Sequence, residues 1–316
     1  MRPVVLDAAA IDDVIPRLDA VSAMRKLFAG FGNNRVAQPP QTLALLPGRA
    51  GGGDFIAYLA AIADPPVFGV KVSPYLPSAT GSIVTAWTLL MSSETGTPLM
   101  LCDAMALTRE RTAATTALAV DLLAPADATR LTVIGTGSIG RAHLRHVLPL
   151  RAWRNVRVWS PNAASRTELI RSVAPTASIE RTLHDATEGA EVILLCTSAA
   201  SAIIDPAKMP QCKLVTSIST NAYRAHEIPP QSLSRLDVYC DARANAPLAA
   251  GEMLIAREDL GWDPAAICGD LAELVSGTAK LPTRTAFFRS IGLGCEDIAL
   301  AAAVHDRISL RGETRA

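Results

Sequence analysis

The sequence predicts an α/β protein of two domains, and three observations carry that prediction. The chain has 316 residues, long for one compact domain. Beyond Ala124-Pro125-Ala126-Asp127, short apolar strands alternate with helical segments, the pattern of a parallel sheet covered on both faces. Where the first of those strands ends, Gly135-Thr136-Gly137-Ser138-Ile139-Gly140 opens a helix. Hydrophobic residues at 49% and charged residues at 19% provide for a large core and argue against disorder.

Taken in order, residues 8–30 read as helix, because Ile11, Ile15, Leu18, Val21, Met24 and Leu27 recur every three or four positions. Residues 36–50 are rich in Pro and Gln, and Gly51-Gly52-Gly53 marks a turn. Phe55–Ile62, Val67–Ser73 and Ile83–Met91 read as strands, with a turn at Glu94-Thr95-Gly96, and Thr108–Leu123 as a helix crowded with Ala and Thr. The second half alternates: strand Leu131–Ile134, helix Ile139–Leu150, strand Val156–Trp159, helix Ala163–Val173, and strands Val192–Cys196 and Leu214–Ile218. Gly294–Leu310 reads as a last helix that returns to the first domain. The expected organisation is residues 1–123, then 124–293, then 294–316 as the returning helix, so that the first domain is a discontinuous α+β unit.

Charge and composition exclude several classes. Thirty Lys plus Arg balance thirty Asp plus Glu, so there is no general drive toward nucleic acid or anionic lipid, although one basic pocket would suffice for a small anion. Asp7, Asp12 and Asp13 interrupt any apolar leader, and no apolar run approaches the roughly 20 residues of a membrane helix. The six cysteines are scattered without CxxC or zinc-finger spacing and read as free thiols of a reducing cytoplasm. His143 and His146 read as ordinary helix residues, and no metal is expected.

The glycine turn carries the most chemistry. In a strand–turn–helix context it is the fingerprint of a Rossmann dinucleotide-binding domain. Gly135 permits the tight turn, Gly137 lets the backbone approach a pyrophosphate, and Gly140 lets helix and strand pack. The helix N-terminus offers free N–H groups to the phosphates. The next strand ends at Ser160, where an NAD-preferring site would carry an acid for the ribose hydroxyl. Ser160 can instead donate to a 2′-phosphate, with Arg166 close by, so NADP(H) is expected over NAD(H). Arg166 could equally lie on the solvated face of its helix.

On the other side, strand alternation puts Lys71 on one face with Gly69 and Ser73, and Phe68, Val70 and Val72 on the other. A Lys between Gly and Ser has open space, as the cationic floor of a pocket would, although a strand Lys facing solvent reads the same way. Arg109 and Arg111 point in different directions on their helix, so at most one lines a site. A surface ion pair with Glu110 is the plainer alternative for Arg111.

These segments together resemble the ornithine cyclodeaminase/mu-crystallin family over nearly the whole chain. The resemblance rests on the strand around Lys71, the turn Glu94–Pro98, Leu107–Thr115, the glycine turn, Ala222–Ile228 with Glu227, Ala250-Gly251-Glu252, Asp270–Gly277 and Phe288–Gly292. It implies a homodimer whose first domain binds substrate and mediates dimerisation, with Lys71 and Arg111 as the catalytic residues and Arg111 also reaching cofactor phosphate. Ser138, Ile139, Thr197, Ser217, Ile218 and Ser290 match cofactor-contacting positions, and Gln41, Asn221 and Ile291 match substrate-contacting ones. Two residues depart from the family pattern: Asn221 where a cyclodeaminase has its catalytic Asp, and Gln41 where many members have an Arg. An amide cannot carry a proton as a carboxylate does, which argues against ornithine cyclodeamination. The resemblance therefore implies an NAD(P)H-dependent ketimine reductase. Its substrate would be a small anionic cyclic imino acid, Δ1-pyrroline-2-carboxylate or Δ1-piperideine-2-carboxylate, reduced to proline or pipecolate. An amino-acid dehydrogenase, a cyclodeaminase working without the Asp, or a mu-crystallin-like binding protein are the rival readings.

Overall fold

The computed structural model describes residues 3–48, 52–78, 81–219 and 222–313, with side chains to residue 310. The chain divides into two compact units, Met1–Arg111 with Leu293–Ala316, and Thr112–Gly292. The division falls inside a helix, at Arg111/Thr112, and not at the Pro-containing stretch 124–127 where composition changes. Helix geometry carries the chain across without a linker, so no compositional signal marks the place.

In the first unit the elements are β1 (Val4–Leu6), α1 (Ala8–Val14), α2 (Ala20–Gly32), β2 (Val36–Ala37), β3 (Thr42–Leu45), β4 (Asp54–Ala63), β5 (Pro66–Leu76), β6 (Ile83–Val84), β7 (Trp87–Ser92), β8 (Pro98–Asp103) and the start of α3 (Met105–Leu123). The single helix expected over 8–30 is two. Pro16 lacks an N–H and sits in a tight turn over Ile15–Arg17, and each helix has its own aspartate cap. Asp7 accepts from Ala10 N–H and Asp19 from Ser22 N–H, both at 2.9 Å. The strand expected over 83–91 is also two: β6 pairs with Tyr75 and Leu76, while β7 pairs with Val67–Val72.

The sheet runs β1-β8-β7-β5-β4-β2, with β3 on β4 and β6 on β5. All its pairings are antiparallel except β1 with β8. The C-terminal helix (Gly294–Glu313) packs on β4, β5 and β7, and beside α1 and α2. Alternation fixes which side chains it covers: Ile56, Tyr58, Ala60 and Ile62 of β4, Gly69 and Lys71 of β5, and Thr88 and Leu90 of β7 are buried. On the opposite face Leu59, Phe68, Trp87 and Leu101 remain exposed. Lys71 thus lies on the covered face, and the apolar residues alternating with it lie outside.

Two glycines set how closely the C-terminal helix approaches. A Cβ on Gly294 would stand 2.5 Å from the Leu59 carbonyl oxygen. One on Gly69 would stand 2.2 Å from the Leu89 carbonyl oxygen and 2.8 Å from Ile298 Cδ1. On the Gly69 side of Lys71, the space expected from the sequence is therefore filled by the Leu89 backbone and by Ile298 of the helix.

The second unit contains the rest of α3, β9 (Arg130–Ile134), α4 (Ser138–Val147), β10 (Asn155–Trp159), α5 (Thr167–Arg171), β11 (Ser178–Ile179), α6 (Leu183–Thr187), β12 (Val192–Leu195), β13 (Leu214–Ser217), β14 (Asp237–Cys240), α7 (Ala246–Ala249), α8 (Gly251–Leu260), β15 (Gly269–Asp270), α9 (Leu271–Ser276) and β16 (Ala286–Arg289). The sheet order is β11-β10-β9-β12-β13-β16-β14-β15, parallel throughout. Its first five strands follow the 3-2-1-4-5 order of dinucleotide-binding sheets, which bears out the expected Rossmann fold. Every residue of β12, β13, β14 and β16 is buried, as covering on both faces requires. The helix expected over 163–173 is a short turn followed by α5, because Arg166 leaves helical geometry at φ −119°. No helix among the described residues is long and apolar enough to cross a membrane.

A Gly69→Ala substitution tests the helix–sheet contact. Two of its nearest neighbours are carbonyl atoms of Leu89 that cannot rotate away. The loss of unfolding free energy in urea is expected at or above the upper end of the ~1–3 kcal/mol typical of overpacking. An unchanged midpoint would show that β5 and the C-terminal helix yield at no cost.

Candidate functional site

In the first unit, register and the C-terminal helix build a buried cluster of two cations and two carboxylates. Lys71 stands between Tyr58 of β4 and Thr88 of β7 as direct cross-strand partners. Its Nζ lies 4.1 Å from the centre of the Tyr58 ring, a cation–π contact. The first turn of the C-terminal helix brings Glu296 and Asp297 to the same place. Asp297 Oδ2 lies 2.8 Å from Lys71 Nζ, and Asp297 Oδ1 accepts from Arg111 Nε at 2.9 Å. Arg111 Nη1 donates to Glu296 Oε2 at 2.9 Å. Lys71 Nζ also reaches Thr108 Oγ1 at 3.4 Å. All four charged side chains are at most 6% exposed.

The structure therefore joins the two predicted catalytic residues through a carboxylate that the sequence reading did not single out. It is Arg109, not Arg111, that pairs with Glu110, at 3.0 Å, and Glu110 is itself buried. Burial pulls the Lys71 ammonium down from 10.5 to about 8, against the opposing pull of Asp297. Burial also works against the Arg111 charge, but Asp297 and Glu296 outweigh it and hold that guanidinium above its ordinary value. Gln38 Oε1 accepts from Cys295 N–H at 2.8 Å and so anchors the helix start that carries both acids. Gln41 is half-buried just before β3 and takes no part in this cluster's hydrogen bonds.

In the second unit, the glycine turn has the form of a dinucleotide cradle. Gly135 has φ 116°, and a Cβ there would stand 2.3 Å from the Cys196 carbonyl oxygen. A Cβ on Gly140 would stand 2.1 Å from the Gly135 carbonyl oxygen, so helix and turn pack as the fingerprint requires. Gly137 is different: the nearest atom to a Cβ there is Arg166 Nη1, at 3.8 Å. Gly137 also caps α4 with no side chain on the helix N–H groups, so the N-terminus that begins with Ser138 and Ile139 can receive a phosphate. Ser160 Oγ bonds Thr136 Oγ1 at 2.7 Å, and Arg166 lies over Gly137 instead of on the outer face of its helix. These residues fit the phosphates of a dinucleotide.

The remaining predicted residues cluster at the C-terminal ends of β12, β13 and β16, held by two carboxylates that sequence reading did not count as functional. Thr197 and Ser217 are joined through Glu227, and Ile218 follows Ser217 half-buried. Asp241 accepts from Ser290 Oγ at 3.1 Å, Ile291 N–H at 2.6 Å and Gly292 N–H at 3.0 Å. Ser290 N–H also donates to the Ser217 carbonyl at 3.0 Å. Beneath these ends, Arg289 pairs with Glu252 at 3.1 Å and donates to Ser217 Oγ at 3.3 Å. Asn221 lies outside the described residues.

The chain matches the sequence model of the ornithine cyclodeaminase/mu-crystallin family over residues 1–312. It is 53% identical over 306 residues to an NAD(P)H-dependent anabolic L-arginine dehydrogenase of Pseudomonas aeruginosa, covering 96% of each chain. It is 25% identical to a Δ1-pyrroline-2-carboxylate reductase of Colwellia psychrerythraea, over 70% of this chain and 72% of that one. Among solved structures, the Δ1-pyrroline-2-carboxylate reductase of Thermococcus litoralis, in complex with NADH and L-proline, superposes with a TM-score of 0.88 at 22% identity, over 98% of both chains. That likeness is one of fold.

The Lys71 shift has a consequence for stability. Between pH about 8 and about 10.5 the unfolded chain keeps a proton that the folded chain has released, so this group makes stability rise with pH across that window. Lys71→Met removes the titration. Urea unfolding across the window should show a steeper rise for the wild type than for the variant, and parallel curves would mean that Lys71 titrates as an ordinary lysine.

Proposed function

The chain belongs to the ornithine cyclodeaminase/mu-crystallin family, and from that premise we propose that it is an NAD(P)H-dependent L-arginine dehydrogenase working toward reductive amination. The observation that carries this reading is 53% identity to such an enzyme over 96% of both chains. The family's NAD(P)H-dependent reductases and dehydrogenases share one reacting group, a C=N bond beside a carboxylate. The arginine reading and the cyclic imino acid expected from the sequence share that group and differ in whether its nitrogen is tied into a ring and in the guanidinium-bearing side chain that only the arginine imine carries.

In the proposed reaction a 2-oxo acid and ammonia lose water to form an imine. The dinucleotide, when bound, supplies the hydride that C2 receives, while the imine nitrogen takes up a proton. The residues of the chain provide the rest. Arg111, charged at any working pH, holds the substrate carboxylate with guanidinium donors other than the Nε and Nη1 engaged by Asp297 and Glu296. Lys71, shifted to about 8, holds a proton at Nζ near neutrality and can release it to the departing hydroxyl or to the imine nitrogen. Asp297 keeps both cations in register. Burial of the cluster keeps water out and strengthens each of these contacts.

Two further assignments belong to this reading. NADPH is the preferred cofactor in this reading, which is supported by the absence of a carboxylate after β10 and by Ser160 and Arg166, which can donate to a 2′-phosphate. A second copy of the chain covers the exposed sheet face of Leu59, Phe68, Trp87 and Leu101, which makes the protein a homodimer.

A cofactor-oxidation panel tests the substrate. With 5-guanidino-2-oxopentanoate plus ammonia, kcat/KM is expected to exceed that with Δ1-pyrroline-2-carboxylate. The reverse ranking would install the cyclic imino acid in its place, the reading favoured by the 25% relative. Turnover with neither would leave a mu-crystallin-like binding role. On the productive substrate, kcat/KM should fall as pH rises through about 8. Lys71→Met should lose that limb together with a factor of about 10² or more. A variant that keeps both rate and limb would remove Lys71 from proton transfer.

Cofactor choice has its own test. The wild type should show higher kcat/KM with NADPH than with NADH, and Ser160→Asp should shift preference toward NADH by placing a carboxylate against the 2′-phosphate. A wild-type preference for NADH would overturn the assignment of Ser160 and Arg166.

A further inference from the structure

Glu227 is fully buried, with its carboxylate at the C-terminal ends of β12 and β13. Its main chain is pinned by Ile203 N–H donating to the Glu227 carbonyl at 2.8 Å. Each carboxylate oxygen then serves a different loop. Oε1 accepts from Thr197 N–H at 3.0 Å and from Thr197 Oγ1 at 2.6 Å, both just past the end of β12. Oε2 accepts from Ser217 Oγ at 2.7 Å and Ser219 N–H at 2.9 Å, at the end of β13. Ser219 holds φ 45°, an uncommon conformation for a residue with a Cβ, and its N–H is the one aimed at Glu227. The carboxylate thus ties together two loops that belong to neighbouring strands.

Sheet order says what those loops serve. In a 3-2-1-4-5 sheet the strand order reverses between β9 and β12, and the dinucleotide lies across that reversal. Ser160, at the end of β10, and Arg166, in the short turn before α5, stand on the adenosine side. Thr197 and Ser217–Ser219 stand on the other side, where the nicotinamide half lies. We propose that Glu227 is a positioning residue for the nicotinamide half: it touches neither cofactor nor substrate, but sets the two loops that orient the ring for hydride transfer. The proposal rests on the second unit being the cofactor domain. It goes beyond the expected contact residues by naming the group that aims them.

Glu227→Gln is the test, since it keeps volume while the amide NH2 confronts two donors that the carboxylate oxygen accepted. Binding of NADPH, NADH and 2′-phospho-ADP-ribose, which lacks the nicotinamide, is measured by calorimetry. Hydride transfer is followed with 4-deuterated NADPH. The expected result is a split. Affinity for 2′-phospho-ADP-ribose stays within about twofold, whereas NADPH binds about tenfold more weakly and kcat falls roughly 10²-fold, as expected for a reactant misplaced by about 1 Å. The deuterium isotope effect on kcat rises as hydride transfer becomes limiting. Equal weakening of NADPH and 2′-phospho-ADP-ribose would reduce Glu227 to a general structural clamp and overturn the proposal, as would unchanged values of both. Should Glu227→Gln fail to fold, Thr197→Val removes the 2.6 Å hydroxyl donor while keeping side-chain shape, and the same split must appear there or the proposal falls. A wild-type chain that binds neither dinucleotide would remove the cofactor reading and this proposal together, an outcome distinct from every variant result.

Discussion

The carboxylate of Asp297 organises the first unit. One oxygen meets the Lys71 ammonium and the other the Arg111 guanidinium, inside a core where neither cation could stay charged unpaired. Breaking one partner of such a cluster leaves an uncompensated buried charge, a cost of about 3–5 kcal/mol, so these groups stand or fall together. The requirement propagates outward. Asp297 reaches Lys71 only if the C-terminal helix lies close on β4 and β5, and that approach needs bare backbone at Gly69 and Gly294. It also needs the helix start to be held, which the bond from Cys295 N–H to Gln38 provides. A lysine whose ammonium is pulled down to about 8 by burial is thus a product of helix–sheet packing.

The second unit solves a different problem with the same kind of group. Its parallel strands end in loops that would each be free to move, and the fold ties them to one another by carboxylates accepting several donors at once. Glu227 joins the loops after β12 and β13, and Asp241 holds the stretch after β16. Burial pushes the Asp241 carboxyl up, and its N–H and hydroxyl partners oppose that push. The glycine turn, by contrast, works through absence: no side chain at Gly137 and no cap on α4 leave N–H groups available to an anion.

Much of the candidate site is legible in the sequence alone. The glycine turn, Ser160 and Arg166 lie within one strand–turn–helix–strand segment, where local spacing carries the chemistry. Lys71 and Arg111 were visible as cations in unusual surroundings, Lys71 between Gly and Ser and Arg111 before a run of small residues. Asp297 and Glu296 were not singled out, because two acids in the first turn of a helix are what the helix dipole favours on any protein. The only hint was that they head a helix otherwise rich in Ala, Ile and Leu. Glu227 enters the sequence reading only as part of a family motif and Asp241 not at all, for a different reason: a lone acid in a loop looks solvated until the chain around it closes.

The sequence alone determined the Rossmann unit, because the hydrophobic period, the turn glycines and the strand ends are local properties that need no distant partner. It also determined which cations could matter. Only the tertiary structure decided where those cations sit and what they pair with. Lys71 and Arg111 are 40 residues apart from one another and far more from Asp297, which lies 186 residues beyond Arg111. Whether Lys71 faces water or sits in a charged core depends on which face of β5 the C-terminal helix covers. Strand alternation assigns Lys71 to a face but is symmetric about which face is inside, and only packing breaks that symmetry.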